Sequence, residues 1–131
     1  MPDEARGNYR AWLHKAEEDE LSLNAILKDE AGSPSTACFL SQQMAEKLLK
    51  GLLVFHNKDF PKVHDLLELE TLLLDVEPDI TKLHEDPMSL NRYYVEARYP
   101  GEYPEFNFIE CGEAREAAGR IKEFALTKTS A

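Results

Sequence analysis

The sequence predicts an all-α fold, an up-and-down bundle of four to five helices in one domain spanning residues 1 to 131. Three observations lead there. Apolar residues recur at spacings of three and four over long windows, no segment alternates at period two over strand length, and the turn formers fall between the periodic windows. With 131 residues, 43% of them hydrophobic, the chain is sized for a single core, and enough apolar surface exists to offset chain entropy.

Tyr9, Trp12, Leu13, Ala16, Leu23, Ile26 and Leu27 share helical spacing and predict a first helix over residues 8 to 30, ended near Gly32 and Pro34. Glu20 interrupts its apolar stripe; snorkelling to water is expected ahead of a partner in another helix. Ser35 or Thr36 is expected to cap a second helix that reaches Phe55. Its face of Cys38, Ser41, Ala45, Leu48, Leu52 and Phe55 is widened by Leu40, Met44, Leu49 and Leu53, so it belongs at the bundle centre or between a core and a second subunit. "NKDFPKV" reads as a loop, after which Asp65 and Glu68 have the spacing of a capping box that opens the leucine-rich third helix. Asp79 to His84 reads as a brief helical piece, and Asp86-Pro87 as the cap and first residue of a fourth helix ending near Ala97. "RYPGEYPEF" is too rich in turn formers for regular helix. Asn107 and Glu110 form a further capping-box pattern, and Ile109, Ala114, Ala117, Ala118, Ile121, Phe124 and Ala125 sustain a last helix almost to the final residue.

Charge narrows the function classes. A formal net charge of −10 opposes a protein that grips duplex nucleic acid through its phosphates. The balance is uneven, however: between Lys47 and His64 four lysines stand against Asp59 alone, a stretch where a small anion is tolerable. The longest apolar runs are four residues, and the first ten residues lack the apolar region of a signal peptide, so a cytoplasmic protein with no membrane segment is expected. Cys38 and Cys111 fall within predicted helices without metal-ligand spacing, and are read as buried reduced thiols in preference to a disulfide or a metal site.

The second helix carries an interruption. Gln42, Glu46 and Lys50 lie on one line of that helix, and Gln43 and Lys47 on the next, because residues four apart stack. The strip is either a solvated face or a satisfied network against another helix, for example against Asp19; spacing leaves both open.

These residues also carry a resemblance. "FLSQQMAEKLLKGLLV" resembles the second-helix signature of HEPN domains (higher eukaryotes and prokaryotes nucleotide-binding), an aromatic before Gln-Gln and then Ala-Glu-Lys. "WLHKAEED" is similar to the family's opening Trp-x-x-x-Ala-x-x-Asp, His64-Asp65-Leu66 to its His-Asp-Leu, and "ARYP" at Ala97 to Pro100 to its Arg-Tyr-Pro, all in family order. Glu20 departs from the pattern, where a leucine is usual directly after the aspartate. The resemblance implies a helical bundle, commonly a homodimer and often encoded beside a small nucleotidyltransferase with which it acts. It carries over Asp19, Gln42, Gln43 and Glu46 as a polar network, and Lys47, His64, Arg98 and Tyr99, with Pro100 closing their turn, as candidates for nucleotide binding.

Catalysis is not expected. HEPN ribonucleases place an arginine four to six residues before a histidine on a late helix, whereas here Arg92 and Arg98 precede no histidine and Arg10 and His14 lie in the first helix. No phosphate-binding glycine loop, zinc-protease motif or nucleophile elbow is present, and no cofactor or metal is implied. His64, beside the capping Asp65, is read as structural ahead of catalytic, and His56 and His84 as ordinary polar residues facing water. The leading expectation is a HEPN-like domain that binds a nucleotide or assists a nucleotidyltransferase without catalysis of its own. The alternatives are a ribonuclease, for instance a toxin, acting through non-signature residues, and a purely structural dimerisation module.

Overall fold

In the computed structural model, which describes residues 8–96 and 105–130, the described residues are helical without a strand. The elements are α1 (Tyr9–Lys28), α2 (Pro34–Phe55), α3 (Leu66–Leu73), a 3-10 turn (Pro78–Leu83), α4 (Glu85–Leu90), α5 (Arg92–Glu96) and α6 (Phe108–Thr129). None is long and apolar enough to cross a membrane. Arg98, Tyr99, Pro100 and the rest of the segment 97–104 lie outside the described residues.

α2 is the central rod. Its apolar circumference is covered by α1, α6 and the short helices α3 to α5, with Leu48, Leu49, Leu52 and Leu53 all buried. The coverage comes from the chain itself, so the apolar girth of α2 does not by itself call for a second subunit. α1 runs antiparallel to α2, placing Tyr9 edge-on against Phe55 and Asp19 beside Lys47. α6 runs parallel to α2: Cys111 meets Cys38 at their starts, and Lys128 and His56 meet at Glu77 near their ends. The segment 56–96 supplies the remaining wall, as α3 descends beside α2 and α4 and α5 climb back to seat Tyr93 on Phe106.

Three helix ends differ from expectation. Ser33, one residue before Pro34, caps α2 by accepting from Thr36 N at 3.3 Å, while Ser35 accepts from Phe106 N instead. Pro34 explains the shift, since its missing N–H and fixed φ suit the first helical position. Asp65 caps α3 through Leu67 N at 2.9 Å, and Asn91, rather than Glu68, completes the cap, donating to Asp65 Oδ1 and accepting from Leu66 N, each at 2.8 Å. The expected single fourth helix divides into α4 and α5 on either side of Asn91, whose own backbone stays right-handed at φ −57° and ψ −33°. α4 also starts earlier than Asp86, at Glu85, and tolerates Pro87 because the first-turn N–H groups have no helical partners. The capping box at Asn107 and Glu110 forms as the spacing predicts.

Charged side chains read as solvated are tied down. Glu20 pairs with Lys122 of α6 at 2.6 Å instead of snorkelling to water, so the departure from the leucine usual there brings an inter-helix ion pair. His56 meets Glu77 at 2.8 Å and His84 meets Glu70 at 3.0 Å, each linking separate segments of the chain. Beyond the end of α2, Asn57 has a left-handed φ of 57°, with Lys58 N returning to Leu53 O at 2.9 Å.

The α1–α2 crossing depends on Gly51. A Cβ there would stand 3.1 Å from Trp12 Cβ, 3.3 Å from a Leu13 methyl and 3.4 Å from Tyr9 O, of which the Trp12 and Tyr9 atoms are fixed by the α1 backbone. Gly51→Val is expected to push the helices apart and cost about 1–3 kcal/mol, outweighing any gain in helix propensity. A lower urea midpoint with an unchanged slope is the reading that checks it.

Candidate functional site

The polar strip of α2 faces inward. Gln42, Glu46 and Lys50 are 0%, 4% and 7% exposed, in the half of the helix that meets α1 and the loop 57–65. Burial of this kind is stable only when each polar atom is partnered, and no buried side-chain nitrogen or oxygen among the described residues lacks a partner. Gln42 Nε2 donates to the carbonyl of His64 at 3.0 Å, and Gln43 Nε2 donates to Gln42 Oε1 at 2.7 Å and to Glu46 Oε1 at 3.4 Å. Lys50 Nζ donates to Glu46 Oε2 at 3.0 Å and lies 5.8 Å from the ring centre of Trp12 and 5.7 Å from that of Phe60. The ammonium thus has a carboxylate on one side and aromatic faces on the other.

His64 completes this network. Its Nδ1 lies 3.0 and 3.1 Å from the two oxygens of Glu46. A carboxylate accepts only, so Nδ1 carries the hydrogen and a neutral ring keeps Nε2 as an acceptor. The imidazole is 48% exposed and stacks on Tyr94 of α5, with centroids 4.3 Å apart and planes 17° from parallel. Tyr94 in turn lies 5.9 Å from Phe39 of α2. Beside the stacked rings is an open pocket of about 300 Å³ lined by His64, Asp65, Asn91 and Tyr94.

The fold therefore brings together Gln42, Gln43, Glu46 and His64. Asp19 and Lys47 form a separate pair at 2.6 Å between α1 and α2, and Lys47 is not part of the pocket lining. Arg98 and Tyr99 fall outside the described residues. Two members of the site were not singled out from sequence, Asn91 and Tyr94; the spacing places Lys50 on the strip beside Glu46, and the structure shows that pair formed and buried. Tyr94 carries the clearest missed signal, lying four residues before Arg98 in an aromatic-rich stretch.

A second cavity, about 190 Å³, lies where α1, α2 and α6 meet. Ala16, Met44 and Leu48 form its floor and Arg10, His14 and Glu17 part of its rim, with Lys122 tied to Glu20. No group of three or more metal-ligating side chains is found among the described residues.

A buried polar network on a central helix, with a carboxylate-held histidine at its open end, defines a helical bundle organised around one polar seam. The HEPN domain model matches residues 9–128, and the chain belongs to the HEPN family. Among solved structures, TT1696 from Thermus thermophilus superposes with a TM-score of 0.78 at 30% identity, over 92% of this chain and 98% of that one. ST0689, described as an archaeal HEPN homologue, gives a TM-score of 0.73 at 27% identity, over 93% and 98%. No curated protein matches.

The seam has a consequence for stability. Glu46→Ala removes the carboxylate shared by Lys50 and His64 and strands a buried ammonium, an effect of about 3–5 kcal/mol for a pair of this burial. The double variant Glu46→Ala, Lys50→Met is expected to regain part of that loss, measured by chemical denaturation as a thermodynamic cycle.

Proposed function

We propose that this HEPN domain binds a nucleotide, with the base stacked against the His64–Tyr94 ring pair, and that it acts without catalysis of its own as the partner of a separately encoded nucleotidyltransferase. The observation that carries the binding reading is the pocket itself. It combines an aromatic face with Asp65 and Asn91, groups suited to the hydrogen-bonding edge of a base, and each stacked base is worth about 1–3 kcal/mol. Among the described residues the lining contributes no lysine or arginine, and these residues suit the base rather than the phosphates. For the phosphate end, Arg98 and Tyr99 are the candidates from sequence, and Lys47 serves only if it leaves Asp19. Partnership with a nucleotidyltransferase, and assembly as a homodimer, rest on the family resemblance.

A thermal-unfolding panel of ATP, GTP, AMP and inorganic phosphate tests this reading. A ligand at about 100 times its dissociation constant adds roughly 2.7 kcal/mol, enough to raise the midpoint by several degrees. The expected result is a shift with at least one nucleotide, absent with phosphate and reduced by Tyr94→Ala, while the variant keeps its helical circular dichroism. No shift with any nucleotide overturns the reading and leaves a structural interaction module.

One observation favours a second reading. Glu46 holds the half-exposed His64 ring through Nδ1, which leaves Nε2 as the acceptor a general base requires, so a ribonuclease acting through non-signature residues has a candidate in His64. If it operates, purified protein cleaves single-stranded RNA and His64→Ala abolishes cleavage. Intact RNA after prolonged incubation rejects it.

A further inference from the structure

Two thiols outside the polar seam meet where α2 and α6 begin. Cys38 lies in the second turn of α2 and Cys111 in the first turn of α6; 73 positions separate them in the chain. Both are free and fully buried, with their Sγ atoms 3.4 Å apart. The Cys38 thiol donates toward Cys111 Sγ, and the Cys111 thiol donates to Pro34 O at 2.8 Å. Apolar packing alone asks for no such convergence of sulfurs from distant parts of the sequence.

We propose that Cys38 and Cys111 are an intramolecular cross-link site, which an oxidant of the peroxide class converts to a disulfide joining the starts of α2 and α6. The inference is independent of any ligand at the His64 pocket. A disulfide bond is about 2.05 Å, so the sulfurs must approach by roughly 1.4 Å, a movement of the scale that side-chain rotation and a small shift of the first turn of α6 supply.

The order of events follows from the hydrogen bonds. Burial pushes both thiols up, Cys38 the further, but the hydrogen bond from Cys38 stabilises a thiolate on Cys111. Cys111 therefore attacks the peroxide: its sulfur bonds to one oxygen, the O–O bond breaks, and the other oxygen leaves as water. Cys38 sulfur then attacks the sulfur of the resulting sulfenic acid, the S–O bond breaks, and the hydroxyl departs with the Cys38 proton as a second water. Two thiols and one hydrogen peroxide become one disulfide and two waters. Because the native pair is buried, the reaction is expected to be slow beside that of an exposed thiol.

The experiment treats the reduced, intact protein with excess hydrogen peroxide, then removes the oxidant. The expected product is a monomer lighter by two hydrogens, without thiols titratable in denaturant, and restored by dithiothreitol; a peptide map links Cys38 to Cys111. Closing so long a loop is expected to raise the melting midpoint by roughly 10 °C. Cys38→Ser, checked for folding by circular dichroism, is expected to add oxygen to Cys111 instead of losing hydrogens. If that variant does not fold, the peptide map of the unaltered protein decides. Two surviving thiols, a mass raised by oxygen without the link, or a bond between two chains would each overturn the proposal.

Discussion

One carboxylate constrains the middle of this bundle. Glu46 lies on the most buried helix, where an isolated charge costs several kcal/mol even after local relaxation. Its position is tolerable because Lys50, His64 and Gln43 all donate to it. Those donors have requirements of their own. Lys50 must be walled by Trp12 and Phe60, which seats α1 and the loop 57–65 against α2. His64 must be held by its backbone as well as its ring, and Gln42 does so through the carbonyl. A polar group that apolar side chains could replace in volume but not in direction thus sets how three segments meet.

The pocket at the open end inherits this order from two sides. From α2, Glu46 and Gln42 fix the plane and position of the His64 ring. From the opposite wall, Asn91 grips both the cap of α3 and its own chain at the α4–α5 junction, so that Tyr94, three residues later, is carried to the imidazole. Neither wall alone makes the stack. The short helices of the segment 66–96 are therefore better understood as a mount for one aromatic face than as a failed long helix.

Much of the architecture was legible in the sequence, because periodicity reports what a helix buries. α1, α2 and α6 follow their apolar spacing, and the Asn107 cap follows from two side chains three residues apart. Local spacing is silent where a side chain serves a distant partner. Asn91 commits its side chain to Asp65 and Leu66, and Ser35, an expected cap, is engaged by Phe106 N. The strip of Gln42, Gln43 and Glu46 was visible as an anomaly, yet its direction depended on His64, eighteen positions beyond Glu46, which no local pattern encodes. Glu20 is the same case, its partner being 102 positions away.

The placement of Lys50 on the same helix as Glu46 bears on how the chain assembles. Local contacts form before distant ones, and α1 and α2 are neighbours joined by a short turn, whereas α6 must return from far along the chain. When α2 first becomes helical, Glu46 already has a counter-ion one turn ahead, before the loop bearing His64 arrives. The charge is neutralised in advance of its desolvation. Collapse around α2 can therefore proceed through partly formed states without trapping a lone ion in apolar surroundings, and His64, eighteen positions from Glu46, joins an existing ion pair and takes its orientation from it.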